Sequence, residues 1–217
     1  MSETSVDDEY PLHDRCRWTW ATQQVEALQK RDLAVIDWEQ LIDEFDPRHE
    51  RCDWVSQCTH AIRWMLQIEF YPADAKQISA WRAKAWRARK RLHHEHKKNP
   101  GLVRDDLDSI LEESWGYARG DAVRRMAWLD TKLAWRDTGS KADNAILTKA
   151  LWSRDRERWD RSVPEDCHYP FEEIAGYGPH TQHGSREPDP AVWPLGVTQK
   201  LREVFGPALT YPDDSKR

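Results

Sequence analysis

One unbroken helical spacing in the second half of the chain constrains the fold more than any other feature. Apolar residues recur there at steps of 4, 4, 3, 4, 4, 3 and 4, at Leu107, Leu111, Trp115, Ala118, Ala122, Met126, Leu129 and Leu133. This spacing places all of them on one face of a single long helix, which needs partner helices to cover it. Gly116 and Gly120 lie within the run, and we predict that they permit close contact with a neighbouring helix.

Shorter segments with the same periodicity supply the neighbouring helices. The helix predicted after Pro47 is apolar over much of its circumference, so we expect it near the middle of a bundle. No strand pair is predicted, and the fold class is all-α, a compact bundle of about five to six helices. The apolar faces are Trp18, Ala21, Val25 and Leu28 within 12–30; Trp38, Leu41, Ile42 and Phe45; Val55, Cys58, Ile62 and Met65, widened by Trp54, Ala61, Leu66 and Ile68; Ile78, Trp81, Ala85, Ala88 and Leu92; and Ile146, Leu147, Ala150, Leu151, Trp152 and Trp159.

The composition of the chain changes after Val163. Residues 164–217 hold 8 of the 12 prolines and 5 of the 9 glycines, which is typical of loops and turns. We predict a helical bundle over 1–163 and a loop-rich segment over 164–217 that packs on it, with short helical turns near 171–175 and 198–205. Together they form a single domain in this interpretation.

The sequence also limits the cellular setting and the chemistry. No apolar run approaches the roughly 18 residues that a membrane span requires, and the acidic start MSETSVDDEYPL lacks the apolar region of a signal peptide. We therefore expect a cytoplasmic protein without a membrane partner. No phosphate-binding glycine loop, GxSxG or HExxH motif is present, so an enzyme is not favoured and no cofactor is expected.

The four cysteines form no CxxC pair, and we expect reduced thiols. A zinc site built from Cys52, Cys58 and His60 is an alternative, but the spacing matches no standard zinc module. Cys58 also fits a position in the core, which is the interpretation we prefer.

The stretch SAWRAKAWRARKRLHHEHKK, Ser79 to Lys98, concentrates positive charge in a chain of net charge −5. It carries eight Lys or Arg residues and one Glu, a net charge of +7. We interpret it as a solvated helix face, partly neutralised by the acidic segments Asp37–Asp46 and Asp105–Glu113. Nucleic-acid binding is the alternative, because clustered cations bind phosphates and exposed aromatic rings stack on bases. The candidate residues for binding a partner or a nucleic acid are Arg82, Lys84, Trp86, Arg87, Arg89, Lys90 and Arg91, with Trp86, Arg87, Arg89 and Arg91 predicted on the outer side.

Two groups of residues could bind a metal, but each also has a purely structural explanation. His93 and His96 are three residues apart and share a helix face, but a helix C-terminus favours such residues for its dipole alone. The acidic residues that follow Pro100 would suit Mg²⁺ in a nuclease, although the first turn of a helix favours acids anyway. These acids are Asp105, Asp106, Asp108, Glu112 and Glu113.

Thirteen tryptophans are more than a core of this size requires. They either cover joints between helices and pin the C-terminal segment, or they form a surface for a partner. The leading interpretation is a non-enzymatic protein that docks on another protein or on a second copy of itself. A nucleic-acid-associated protein comes second and a metal-dependent nuclease third. Trp18, Trp20, Trp86, Trp135, Trp152 and Trp193 lie off the centres of the apolar faces or beside them.

Five stretches occur in an order that resembles a known family: DWEQLIDEFD, WMLQIEFYP, SAWRAKAWRAR, NPGLVRDDLDSILEESWGYARGDA and VPEDCHYPFEEI. They resemble the domain of unknown function 29 family, which is common in bacteria and especially in cyanobacteria. The resemblance covers about 18–176, and the chain looks longer than the family pattern between Ala127 and Val163. It implies an all-helical fold. The family has no established activity, substrate or cofactor, so the resemblance implies no catalytic residue.

Overall fold

The computed structural model of the protein describes residues 17–44, 46–98, 101, 105–138, 145–178 and 187–207. Regular structure in these ranges is helical throughout, without a strand, which confirms the all-α class. No helix among them is both long and apolar enough to span a membrane. The helices are α1 (Arg17–Lys30), α2 (Trp38–Glu44), α3 (Pro47–Phe70), α4 (Ala75–Lys98), α5 (Leu107–Thr138), α6 (Ala145–Ser162), α7 (Phe171–Ala175) and α8 (Leu195–Phe205).

The chain forms two compact units, residues 1–49 and 50–217. In the first unit α1 buries a different face from the one predicted: the exposed residues include Trp18, Val25 and Leu28, and the buried ones are Trp20, Gln24 and Ala27. The indole N–H of Trp20 donates to Asp37 Oδ2 at 3.3 Å, and Gln24 Oε1 accepts the backbone N–H of Asp37 at 2.8 Å. These polar contacts hold the Trp20 and Gln24 side of α1 against Asp37. The spacing of apolar residues could not predict them. None of the residues of α2 is buried, and Phe45 lies outside the described residues.

Helix α3 is covered around most of its circumference, as predicted. Its predicted apolar residues all belong to the buried core of the second unit, together with the predicted apolar line of α4. Their burial confirms both helix registers. The residues are Trp54, Val55, Cys58, Ala61, Ile62, Met65, Leu66 and Ile68 on α3, and Ile78, Trp81, Ala85, Ala88 and Leu92 on α4.

Helix α5 is continuous through both of its glycines, and the middle of its predicted apolar line is buried. Helix α6 runs antiparallel along it, because Arg119 of α5 pairs with Asp160 at 2.7 Å while Thr131 donates to Asp155 at 3.2 Å. The two ends of the apolar line are less covered, and Leu133 is exposed.

The prediction for Gly116 and Gly120 is wrong. A Cβ atom on Gly116 would have no atom within 4 Å, and one on Gly120 would lie 3.9 Å from Nη1 of Arg124. Neither glycine therefore permits a close approach of another helix. Both positions leave room for a methyl group.

We expect Gly116→Ala to raise the free energy of unfolding by about 0.5–1 kcal/mol, because alanine loses less backbone entropy in a helix and the added Cβ meets nothing. Urea unfolding followed by far-UV circular dichroism measures the change. A decrease in stability would show that Gly116 has a contact that requires its missing side chain.

The described part of the C-terminal segment completes the core of the second unit. Helices α7 and α8 occur where short helical turns were predicted, with α8 beginning three residues earlier, at Leu195. The Tyr169 hydroxyl donates to Glu69 Oε2 of α3 at 2.5 Å. Core residues from this part of the chain are Tyr169, Phe171, Ile174, Ala175, Tyr177, Trp193, Val197 and Leu201.

Candidate functional site

Helix α4 carries two sets of basic side chains on opposite sides. The inner stripe is Arg82, Arg89, His93 and His96, and the outer stripe is Lys84, Arg87 and Arg91. At about 100° per residue, the two stripes are roughly 180° apart around the helix axis. The inner stripe is buried, and the outer stripe is exposed or half-buried.

Arg89 and Trp86 are buried, so the prediction that they lie on the outer side of α4 is wrong. Arg89 Nε donates to the carbonyl of Ile174 at 3.1 Å, and its Nη2 donates to the carbonyls of Glu173 and Val192. Its guanidinium also lies 4.2 Å from the ring centroid of Trp193. Burial lowers the pKa of Arg89 from its usual range. Arg89 therefore holds the C-terminal segment on α4.

Arg82, another predicted binding residue, is also buried. Its guanidinium carbon lies 5.6 Å from the ring centroid of Phe205 on α8. Burial lowers the pKa of this side chain as well. Arg82 is thus unavailable to a partner in this structure.

The two histidines of the inner stripe also contact the C-terminal segment. His93 Nε2 lies 2.9 Å from the carbonyl oxygen of Ala175, and His96 Nδ1 contacts the Tyr177 hydroxyl. Arg89 and His93 therefore meet the last carbonyl groups of α7, which have no partner within their own helix. Across the described ranges, no three His, Cys, Asp or Glu side chains group together as a metal site requires.

The outer stripe lines a groove between α3 and α4. Arg63 Cζ and Lys84 Nζ each lie 4.3 Å from the ring centroid of Trp64 in this groove. None of the described residues that line it is a carboxylate. We call it the α3–α4 groove; it has a volume of about 270 Å³ and is lined by Gln57, His60, Arg63, Trp64, Lys84, Arg87, Ala88 and Arg91.

Two pKa values in the α3–α4 groove are lowered by burial and by the positive charges in and around the groove. Burial lowers the pKa of Lys84, and the charges of Arg125, Arg63 and Arg87 lower it further. Burial and then the charges of Arg63 and Arg91 lower the pKa of His60. An anion bound in the groove would relieve this repulsion.

A second cavity lies on the other side of Arg63 and Trp64, between α3 and α5. Asp121 pairs there with Arg63 at 3.5 Å and with Arg124. The guanidinium carbon of Arg125 lies 4.4 Å from the ring centroid of Trp128. We call it the α3–α5 cavity; it has a volume of about 390 Å³ and is lined by Arg63, Trp64, Gln67, Asp121, Arg124, Arg125 and Trp128.

Sequence reasoning missed the contributions of α3 and α5 to these two sites. Arg63, Trp64, Arg124, Arg125 and Trp128 all lie off the predicted apolar faces. Neighbouring cationic and aromatic side chains on an exposed helix face could have indicated these sites, because such pairs attract each other and are common at interfaces. Neither segment stands out by charge alone.

Two of the five acidic residues considered for Mg²⁺, Asp106 and Glu113, pair with an arginine. Arg51 Nε donates to Asp106 at 2.7 Å and its Nη1 donates to Glu113 at 2.6 Å, which raises the pKa of Arg51. The direct ionic partner of these two acids is therefore on α3 and not on α4. Lys90, another predicted binding residue, pairs with Glu187 at 2.8 Å.

The remaining candidates divide between core and surface. Cys58 is buried, as predicted, and burial raises the pKa of its thiol to about 12, so the thiol is protonated at neutral pH. Among the tryptophans off or beside the apolar faces, Trp20, Trp86 and Trp193 are buried, Trp152 is half-buried and Trp18 is exposed. The side chain of Trp135 lies outside the described part of the chain.

The family model described as "Domain of unknown function DUF29" matches residues 12–176. The matched range contains both stripes of α4, the α3–α4 groove and the α3–α5 cavity. It ends at Gly176, directly after α7. Neither the curated proteins nor the solved structures contain a match to this chain.

Proposed function

The chain belongs to the DUF29 family, and we propose that it is a non-enzymatic binding protein whose α3–α4 groove docks an acidic segment of a partner protein. The observation that carries this proposal is the charge of the groove. Arg63, Lys84, Arg87 and Arg91 meet there with no carboxylate among the described lining residues, although the chain has a net charge of −5. Complementary charge speeds association and selects the partner.

The outer stripe has a spacing that suits acidic side chains. Lys84, Arg87 and Arg91 follow at steps of three and four, so they span about 10 Å along α4 at about 1.5 Å per residue. Carboxylates at matching steps on a partner helix would face all three cations. The contact of Trp64 with Arg63 and Lys84 restrains those two side chains, which lowers the entropy lost on binding.

Nucleic acid is the second candidate, because arginines one helical turn apart also suit phosphate groups. Sequence-tolerant binding of single strands uses open aromatic faces on which bases stack. The ring of Trp64 is half-buried and is contacted by two cations at 4.3 Å, so it offers a base little free surface. The groove therefore favours an acidic protein segment.

The test is fluorescence anisotropy with a labelled peptide of alternating Glu and Ala residues at increasing salt. We expect salt-sensitive binding that Arg87→Glu combined with Arg91→Glu weakens by at least about tenfold, since several charge pairs become repulsive. Lys97→Glu combined with Lys98→Glu is the matched control, because it makes the same change of charge on α4 outside the groove. Equal losses of peptide affinity in the two variants would show that net charge, and not the groove, causes the effect.

The same titrations with single-stranded and duplex DNA separate the two candidates. Groove-dependent binding of DNA without binding of the acidic peptide would replace the proposed function with the second candidate. Absence of binding to any of these probes would leave the groove without the proposed role.

A further inference from the structure

The first unit leaves most of its large apolar side chains exposed. Within residues 17–44, three apolar residues are buried, whereas seven large ones are exposed. Units of about 40 residues or fewer usually need a disulfide, a metal ion or association with another chain to be stable. This surface therefore indicates that another chain covers it. The buried residues are Trp20, Ala27 and Ile36, and the exposed ones are Trp18, Val25, Leu28, Leu33, Val35, Trp38 and Ile42.

The apolar line predicted for α1 contributes three of the exposed side chains. Trp18 is 83% exposed, Val25 is 53% exposed and Leu28 is 43% exposed, while Ala21 is half-buried. At about 100° per residue, this line is roughly 110° around the helix axis from the side that polar contacts hold within the unit. Helix α1 thus has one face for its own unit and a second, apolar face for a partner.

The apolar line of α1 is complementary to a second copy of itself. Trp18 and Leu28 lie five residues before and after position 23, and Ala21 and Val25 lie two residues before and after it. A second α1 that packs antiparallel, with a two-fold axis at this level, sets Trp18 against Leu28 and Ala21 against Val25 on both sides of the axis. The steps of 3, 4 and 3 are those of a coiled-coil seam, and the small Ala21 leaves room for Val25.

The charges beside the apolar line favour a second copy over a charged partner. Between Trp18 and Leu28 the flanking residues are Thr22 and Gln24, which are uncharged. Glu26 lies further around the helix and pairs with Lys30 at 3.4 Å. Two identical copies therefore meet in the middle of the line without repulsion between like charges, and a charged segment would find no opposite charge there.

The exposed apolar surface of the first unit is large enough for a dimer. A standard interface covers about 800 Å² on each partner, and about 65% of a homodimer interface is apolar. The apolar requirement is therefore on the order of 500 Å² for each copy. Trp18 alone can supply on the order of 150–200 Å² of this, because it is almost fully exposed. The other six exposed side chains, one of them a second tryptophan, can supply the rest.

These observations agree on one occupant. We propose that the apolar line of α1 binds the same line on a second copy of this chain in antiparallel orientation, which makes the protein a symmetric homodimer. Trp18 packs on Leu28 of the second copy at each end of the contact. This contact belongs to the first unit, and it is separate from the acidic segment that the α3–α4 groove is proposed to bind.

Analytical ultracentrifugation of the full chain at about 1–100 μM tests the dimer. We expect a mass twice the 25.6 kDa of one chain. Val25→Glu should raise the dissociation constant of the dimer at least about 100-fold, because two-fold symmetry places an unpaired carboxylate in the contact twice. Gln23→Glu is the matched control, since it adds the same charge at an exposed position on the opposite side of α1 and should change the constant less than about twofold. A monomeric wild-type chain, or equal changes in the two variants, would overturn the proposal.

A rescue by opposite charges tests the antiparallel pairing and separates lost association from lost folding. Ala21→Lys should also weaken the dimer, because the lysine faces Val25 of the second copy. When this variant is mixed with Val25→Glu, the lysine of one chain faces the glutamate of the other. The mixed dimer should therefore dissociate with a constant at least about tenfold below that of either variant alone. A mixture that stays as weakly associated as its components would refute the pairing.

The acidic-peptide assay remains an independent measurement. Arg87→Glu combined with Arg91→Glu should leave the dissociation constant of the dimer within about twofold, because neither residue lies on α1. Binding of the peptide by a monomeric chain would overturn the dimer and support the groove. A dimer that does not bind the peptide would do the reverse.

Discussion

Replacing Arg89 with methionine is expected to lower the free energy of unfolding by about 3 kcal/mol or more, because each buried carbonyl left without a donor costs about 1–3 kcal/mol. Three carbonyls would lose their partner, those of Ile174, Glu173 and Val192. Methionine fills much of the same volume, so the loss reports these hydrogen bonds more than a cavity. Urea unfolding followed by tryptophan fluorescence measures the change.

The burial of the Arg89 charge opposes this loss in part. Desolvation lowers the pKa of Arg89, so burying the charged guanidinium has a cost that methionine avoids. The carbonyl of Ile174 remains buried in the variant and those of Glu173 and Val192 remain partly buried, so the net result is destabilisation. Arg87→Met makes the same substitution on the outer stripe of α4, where we expect a change within about 0.5 kcal/mol. Equal stabilities of the two variants would contradict a structural role for Arg89.

The helical registers of α3 and α4 could be predicted from the sequence because they depend on local spacing. Ile78, Trp81, Ala85, Ala88 and Leu92 are all buried, as their spacing indicates. A buried apolar line can be recognised in the sequence because apolar residues recur at every turn of the helix. The same reasoning was wrong for α1, because the contacts of Trp20 and Gln24 with Asp37 decide which side is held.

The division of α4 into a buried and an accessible basic stripe could not be predicted from the helix itself. Both stripes flank the same apolar line, and both look like solvated charge in the sequence. The partners of Arg89 lie 84, 85 and 103 residues further along the chain. Which stripe is covered depends on where the C-terminal segment returns, and no local pattern encodes that choice.

The two stripes change how the net charge of the basic stretch is interpreted. Part of the charge of +7 belongs to Arg82 and Arg89, which hold the C-terminal segment and are buried. The accessible part forms a cationic groove only together with Arg63 of α3. Substitutions on the inner stripe therefore measure stability, whereas substitutions on the outer stripe test the proposed binding. A charge-reversal experiment that mixes the stripes would confuse the two effects.

Gly176→Ala is expected to lower the free energy of unfolding by about 2–4 kcal/mol, from backbone strain and overlap together. Gly176 ends α7 with φ at 79°, a left-handed conformation that alanine adopts at a cost. An added Cβ would overlap Nη2 of Arg89, would lie 2.6 Å from its Cζ, and would lie 2.8 Å from Cβ of Pro188. The guanidinium cannot move away without breaking its bonds to the end of α7. Urea unfolding gives the value.

Gly206→Ala is a control in which strain acts without overlap. Gly206 has φ at 86° and ψ at −177°, a conformation essentially restricted to glycine, and a Cβ there would meet nothing within 4 Å, so we expect a loss of about 1–3 kcal/mol from strain alone. Because its backbone conformation differs from that of Gly176, the overlap with the Arg89 side chain is measured by a double variant. Combining Gly176→Ala with Arg89→Met should cost less than the sum of the single losses, because the guanidinium that obstructs the Cβ is already absent. If the two losses in free energy of unfolding were strictly additive, the effect of Gly176→Ala would come from backbone strain and not from overlap with Arg89.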